Sequence, residues 1–482
     1  MLSVSQTAET TSARSSLAWS AQPQSRPQPA SQPIPTRAPS GGMVDVAIQT
    51  EPVDSVALAG SRLAIDPTSY PHYVSHHATR YVSYSELPNE IWGEIASFSS
   101  KKDILNLRTV SSDIRMQADT MITELTLCGG QALIDFAYSD GFKHIKTLHL
   151  YQIDKTALNL FTNRLTTHPH ENLVIELAEG QVGLSDALSG LSALPLRGLR
   201  LDGVYVTPEV VGALAESTFP ITLSGYMTQE ELENASRLPT LINLSVRSAQ
   251  LSDDVALSFS AHPALQHLTF SVNQNFSSQG LEYLAGIPSL HVLKLYDTVF
   301  MANAISTTAM RQLAAHRTLE RLSIQTRIDP LSDACLSALS FSATLKSLAI
   351  SLCPGIHHVT RMALLEHLQL NARCVGTRRM DVPTAHLIGE MPSLKTLELD
   401  FVAFEANAFR TLIWHLRAET LQLANISVEE DGVVALLANG RLKALSLVDV
   451  RIAPEHAVAL CQHERLLRLT INGVACLLSA VR

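Results

Sequence analysis

The chain has 482 residues and a net charge of −9, a balance that disfavours an electrostatic grip on nucleic acid or anionic lipid. Its 6 cysteines form no CxxC pair, which argues against a thiolate zinc site and for reduced, buried thiols of the cytosolic kind. No apolar run approaches the ~18 residues of a membrane span, and the first twenty or so residues lack the apolar core of a Sec-type signal.

Residues 1–82 hold Pro23, Pro27, Pro29, Pro33, Pro35 and Pro39 among many Ser, Thr, Gln and Ala, with little periodic apolar pattern. Such a segment cannot offset its ordering entropy, and the composition predicts a disordered tail. A short helical module is expected over 83–118. Leu87-Pro88 opens it, with Pro preorganised for a first helical turn. Ile91, Ile95 and Phe98 follow at helical spacing, and Asp103 is placed to cap a second helix bearing Ile104, Leu105 and Leu107 before Val110-Ser111. So small a unit cannot hide its own apolar side chains. They must meet either the following domain, as a cap, or a partner.

From about 119 to 482 a repeat takes over, in the form L-x-x-L-x-L. Examples are Ile145/Leu148/Leu150, Leu196/Leu199/Leu201, Leu265/Leu268/Phe270, Leu290/Leu293/Leu295, Leu394/Leu397/Leu399 and Leu442/Leu445/Leu447, with weaker copies at 173–177 and 221–225. Successive central leucines lie about 24 residues apart, as at 397, 421, 445 and 469. Helical spacing follows the motif, as in Leu281/Leu284/Ile287 and Val434/Leu437. A single strand-plus-helix unit cannot bury its own apolar face, so about fifteen of them must stack. The predicted fold class is α/β, a leucine-rich-repeat solenoid or horseshoe behind a small all-α module and a disordered tail. The spacing breaks around MANAISTT and again within 351–394, where CPGIHHVTR and NARCVGTRRMDVPT fill a short and then a long interval.

The run Leu87-Pro88-x-Glu90-Ile91, Glu94-Ile95, Asp103-Ile104-Leu105, Leu107-x-x-Val110-Ser111 and Arg115 resembles an F-box, departing from it at Ile114 where many have Trp. That resemblance implies docking of Leu87, Pro88, Ile91, Ile95, Leu105 and Val110 onto the Skp-type linker subunit of a cullin ubiquitin ligase. With Gly212-Ala213-Leu214-Ala215 in one repeat helix, the whole chain is similar to the GALA-type F-box/leucine-rich-repeat type III effectors of plant-pathogenic bacteria. What this implies is a secretion signal in the tail, action in the host cytoplasm or nucleus, and a host target held on the repeats. The rival reading is a repeat scaffold without a ubiquitin link, its first helices serving as a cap.

In L-x-x-L-x-L the leucines point inward and the residues between them outward. Tyr151, Arg200, Asp202, Arg247, Lys294, Tyr296, Glu398 and Asp400 are therefore the expected target-binding face, with the tyrosines as aromatic anchors. No Walker loop, GxSxG or HExxH is present, and no cofactor is expected. His357-His358 and His168-Pro-His170 have no nearby Cys or carboxylate in the sequence to complete a metal set, so no metal site is expected either. Cys374, beside Arg373, Arg378 and Arg379, is the weak candidate for a reactive thiol. The repeats run almost to Arg482, so no separate catalytic domain is expected. The chain reads as a non-catalytic adaptor.

Overall fold

Two leucines at i and i+2 place both side chains on one face of a strand, and that is how each repeat begins. In the strand Thr147–Tyr151, Leu148 and Leu150 have no exposed surface, while Thr147 and His149 between and beside them are half-buried. The structure is a computed structural model and describes residues 123–138, 145–167, 173–178, 185–272, 276–298, 305–326, 331–373 and 379–476. The expected tail and helical module, and Cys374, lie outside the described residues.

Among the described residues sixteen strands form one sheet in strict chain order. They run parallel from Glu124–Cys128 onward until the last, Val474–Ala475, turns back antiparallel on Arg468–Ile471. Leucine sits over leucine down the ladder, Leu244 on Leu268, Leu268 on Leu293, and Leu397 through Leu421 and Leu445 to Leu469. Three dislocations interrupt it among the described residues, two of them at Val246/Leu251 and Leu295/Thr298. Ile221 and Leu223 are two residues apart and pair with Leu241 and Leu244, which are three apart, so the ladder bulges at Ile221/Thr222. The weak copies at 173–177 and 221–225 are strands of this sheet.

Helices return each chain segment to the next strand. Thr207, Thr228, Ser252, Ser277, Ser306, Ser332 and Asp381 cap them, each accepting a first-turn N–H. Thr228 and Glu231 complete a reciprocal capping box. In the helix Glu430–Ala438 the buried residues are Gly432, Val433, Ala435 and Leu436, so the apolar stripe lies one residue before the expected Val434/Leu437, and Val434 is 54 % exposed. The short interval between Leu348 and Leu368 holds no α-helix. A 3₁₀ helix, Pro354–Arg361, spans it, because at ~2.0 Å rise per residue it covers the distance with fewer residues.

A recurrent staple joins consecutive repeats. His262, His316 and His463 each place Nε2 2.8 Å from a carbonyl of the preceding repeat, on Leu238, Ile287 and Leu437. Their Nδ1 atoms accept backbone N–H groups from the turn into the next strand, as from Leu265 and Leu319. Asn439 does both tasks with one amide, donating to the Ile413 carbonyl and accepting from Arg441 and Leu442. The polar turns of a buried loop are thereby satisfied, as a tightly stacked array requires. Among the described cysteines Cys335 and Cys353 are buried but Cys128 is exposed, which corrects the expectation that all would be buried. No described helix is long and apolar enough to cross a membrane.

Candidate protein-binding face

The open face of the sheet carries the residues between the leucines. Arg200 pairs with Glu176 on the neighbouring strand, and Glu176 also meets His149. Asp202 accepts from the Ser224 hydroxyl at 2.7 Å. Asp400 is engaged on both oxygens, by the Asn425 amide at 2.8 Å and the Arg373 guanidinium at 3.0 Å. These three charges are therefore tied into the sheet. Lys294 and Glu398 make no ion pair among the described residues, and Arg247 is exposed. Half-burial raises the Tyr296 phenol above its usual pKa, whereas Tyr151 stays 44 % exposed.

Charge is unevenly spread along the middle of the face. His267 lies near His291, Arg321 and Lys294; burial chiefly, then those neighbours, hold its imidazole below the usual range. Farther on, burial raises the Glu398 carboxyl, with His367 opposing the shift. Between these groups the floor is made of Ser323, whose buried Oγ has no hydrogen-bond partner, and buried Ala349. A depression of about 280 Å³ lies here, lined by Arg321, Ser347, Ala349, His367, Gln369 and Glu398 among others.

The strand ends reveal a residue that sequence reasoning missed. Two positions past the last apolar residue of the strand, the chain takes a positive φ at Gly129, Gln152, Gly203, Gly225, Asn425, Asp449 and Gly473. That turn aims an N–H at the end of the next strand, as from Gly203 to Ser224 and from Asn425 to Val448. At the equivalent place in one repeat stands Phe401, with φ 56° and 44 % of its surface exposed. Glycine and asparagine tolerate this backbone, and a bulky side chain is an outlier there. Arg373 lies over its ring at 4.9 Å. The available signal was the substitution itself, Asp400-Phe401 where other repeats read Asp202-Gly203 or Ala424-Asn425.

Two side-chain clusters could hold a metal ion. The sequence offered no carboxylate for His357-His358, but the fold brings Asp333 from the preceding repeat beside them. His386, Glu390 and His415 form a second group across adjacent helices, with His386 and His415 ring centroids 4.1 Å apart. His168 and His170 lie outside the described residues. Cys461 and Cys476 are neighbours, and burial first, then Cys476, raises the Cys461 thiol.

The described residues form a leucine-rich-repeat-like array of strands and helices. No protein-family model matches the chain, and no curated protein matches it. Among solved structures it is similar to TLR13 in complex with ssRNA13, at 16 % identity over 73 % of this chain and TM-score 0.41. It is also similar to the internalin InlF of Listeria monocytogenes str. 4b F2365, at 14 % identity over 81 % of this chain and 93 % of that one, with TM-score 0.28. The chain spans 55 % of the TLR13 chain. These likenesses concern the repeat fold alone and carry no argument about ligands.

Proposed function

We propose that the open face of the sheet binds a protein, with Phe401, Tyr151 and Tyr296 as anchors and Lys294 and Glu398 as unpaired charges that select the partner. The observation that carries this reading is Phe401. A bulky side chain held in left-handed backbone at an exposed edge is a strain of the kind retained where it serves recognition. The chain is read as non-catalytic; its chemistry is that of an interface.

The sequence from Leu87 to Arg115 favours a finer reading, in which that interface belongs to a substrate adaptor of a Skp–cullin–F-box ubiquitin ligase. Leu87, Pro88, Ile91, Ile95, Leu105 and Val110 dock on the Skp-type linker, and the repeats hold the target. Tethering a target's lysines near a conjugating enzyme raises their effective concentration without any acid, base or nucleophile from the adaptor. The Ser- and Pro-rich tail fits delivery by a type III system into a plant cell, where the host linker and target would be met.

The test is affinity capture from plant extract with the full chain. Leu87→Ala with Pro88→Ala should abolish recovery of the linker subunit while leaving the melting curve nearly unchanged, and Phe401→Asn should reduce target recovery and spare the linker. Linker recovery by the double variant would remove the ubiquitin reading and leave the scaffold. Target recovery unaffected by Phe401→Asn and by Tyr151→Ala with Tyr296→Ala would remove the open face as the binding surface.

A further inference from the structure

We propose that Asp333, His357 and His358 form a binding site for one divalent transition-metal ion of the zinc class, which clips the irregular short repeat to the regular one before it. The site goes beyond the protein-binding reading and does not depend on it.

Four observations converge. His358 is 9 % exposed, yet neither ring nitrogen has a hydrogen-bond partner. Its Nε2 lies 3.3 Å from the Asp333 carboxylate, within ion-pair range, but the pair does not align as a hydrogen bond. A buried imidazole without a hydrogen bond on either nitrogen is destabilising, and such an atom is explained by an ion or a bound water. Second, the 3.3 Å separation is the edge of a tetrahedron whose metal–nitrogen and metal–oxygen bonds are about 2.0–2.1 Å. All three ligand atoms lie within 4.8 Å of one another, so small rotations bring the third into the same shell. Third, the two histidines are adjacent in the chain, yet their rings lie side by side with centroids 4.1 Å apart. A 3₁₀ helix turns successive side chains well apart, so both rings facing one point is a specific arrangement. Fourth, Gly355 keeps that turn against Asp333, since a Cβ there would lie 2.7 Å from the Asp333 Cα and 3.0 Å from its Oδ1.

Two imidazoles and one carboxylate are a borderline-soft donor set that suits zinc and leaves a fourth position for water. Asp333 is exposed and provides the entry path. Asp381, whose carboxyl is held low chiefly by Thr384 and also feels His357, adds negative potential nearby. The second cluster, of His386, Glu390 and His415, has its three side chains 41–46 % exposed and no buried unpartnered nitrogen. It serves as the internal control.

The experiment is calorimetric titration of the chelator-treated full chain with Zn²⁺, paired with Co²⁺ absorption to read coordination. One equivalent should bind with a four-coordinate Co²⁺ spectrum and raise the melting temperature. Asp333→Asn and His358→Ala should each weaken that step by more than the ~10–100-fold that a change outside the ligand set produces, while His386→Ala leaves it in place. Should His358→Ala fail to fold, the exposed Asp333→Asn still decides the matter. Absence of saturable binding overturns the proposal. So does binding that Asp333→Asn leaves intact, binding that His386→Ala removes, or weak superstoichiometric uptake, which would be an adventitious ion only.

Discussion

Single side chains in this array answer to backbone groups two repeats long. His262 is the clearest case, because its Nδ1 accepts from Ala264 and Leu265 and its Nε2 meets the Leu238 carbonyl. An imidazole that accepts at Nδ1 must be neutral and must donate from Nε2, and burial holds its pKa below the usual value. The stability it adds is complete above about pH 6.5, the unfolded value, and is lost as pH falls through the lower folded value. His262→Ala should therefore cost about 2–3 kcal/mol at pH 7.5, the penalty of stranding buried donors and an acceptor. His262→Asn, copying Asn439, should restore most of that and abolish this part of the pH dependence in denaturant melts. Parallel pH curves for wild type and the Asn variant would refute the neutral-staple account. Phe401 is the opposite kind of residue, one that costs stability. Phe401→Asn should raise stability by about 1 kcal/mol by removing left-handed strain, and weaken target binding by about tenfold or more. A variant that gains neither stability nor a binding defect would make Phe401 ordinary surface.

Elements were legible where the chain repeats a side-chain period, and illegible where a contact crosses from one repeat to the next. Leu397 and Leu399 announce a strand by period-2 alternation alone, and the strand Thr396–Asp400 follows. Nothing local marks Asp333 as the neighbour of His357-His358, since the register of stacked units decides that meeting. The alternating ladder across repeats was hidden for the same reason: Glu320 meets Lys346, Glu366 meets Lys395 and Glu419 meets Lys443, at 2.6–2.8 Å. These exposed pairs add little energy each, but all are set by register. Glycines make the same point in a testable form. Gly212 in the GALA tetrapeptide is exposed, and a Cβ there meets nothing within 4 Å. At Gly280 a Cβ would lie 2.3 Å from Asp253 Oδ1 and 2.6 Å from the Phe276 ring, between adjacent helices. Gly212→Ala should thus stabilise by about 0.4–1 kcal/mol through helix propensity and unfolded-chain entropy. Gly280→Ala should destabilise by about 1–3 kcal/mol through overpacking. Equal effects in chemical denaturation would mean that the helices are not packed at the third helical position.

The whole array is one sheet in chain order, so each repeat touches its neighbours and little else, and stability is expected to pass from unit to unit. Irregular joints separate the regular stretches: the bulge at Ile221/Thr222, the register shifts at Val246/Leu251 and Leu295/Thr298 and the 3₁₀ repeat at Pro354–Arg361. At each of them the regular repeat geometry changes, and cooperativity should be weakest there. Leu421 has no exposed surface and sits in the regular run between Leu397 and Leu445. Leu421→Ala should remove about 2–5 kcal/mol locally. If coupling runs through neighbours, amide hydrogen exchange should quicken first over the strands from Thr396 to Ile471. Protection in the strands Thr147–Tyr151 and Gly198–Asp202, beyond all of these joints, should stay near the wild-type level. The open face near Tyr151 would then remain folded and able to bind while the Phe401 end loosened, so a target needing both ends would be lost and a target held at one end would not. Uniform acceleration across all strands would instead establish a single cooperative unit, in which no joint divides the stability of the array.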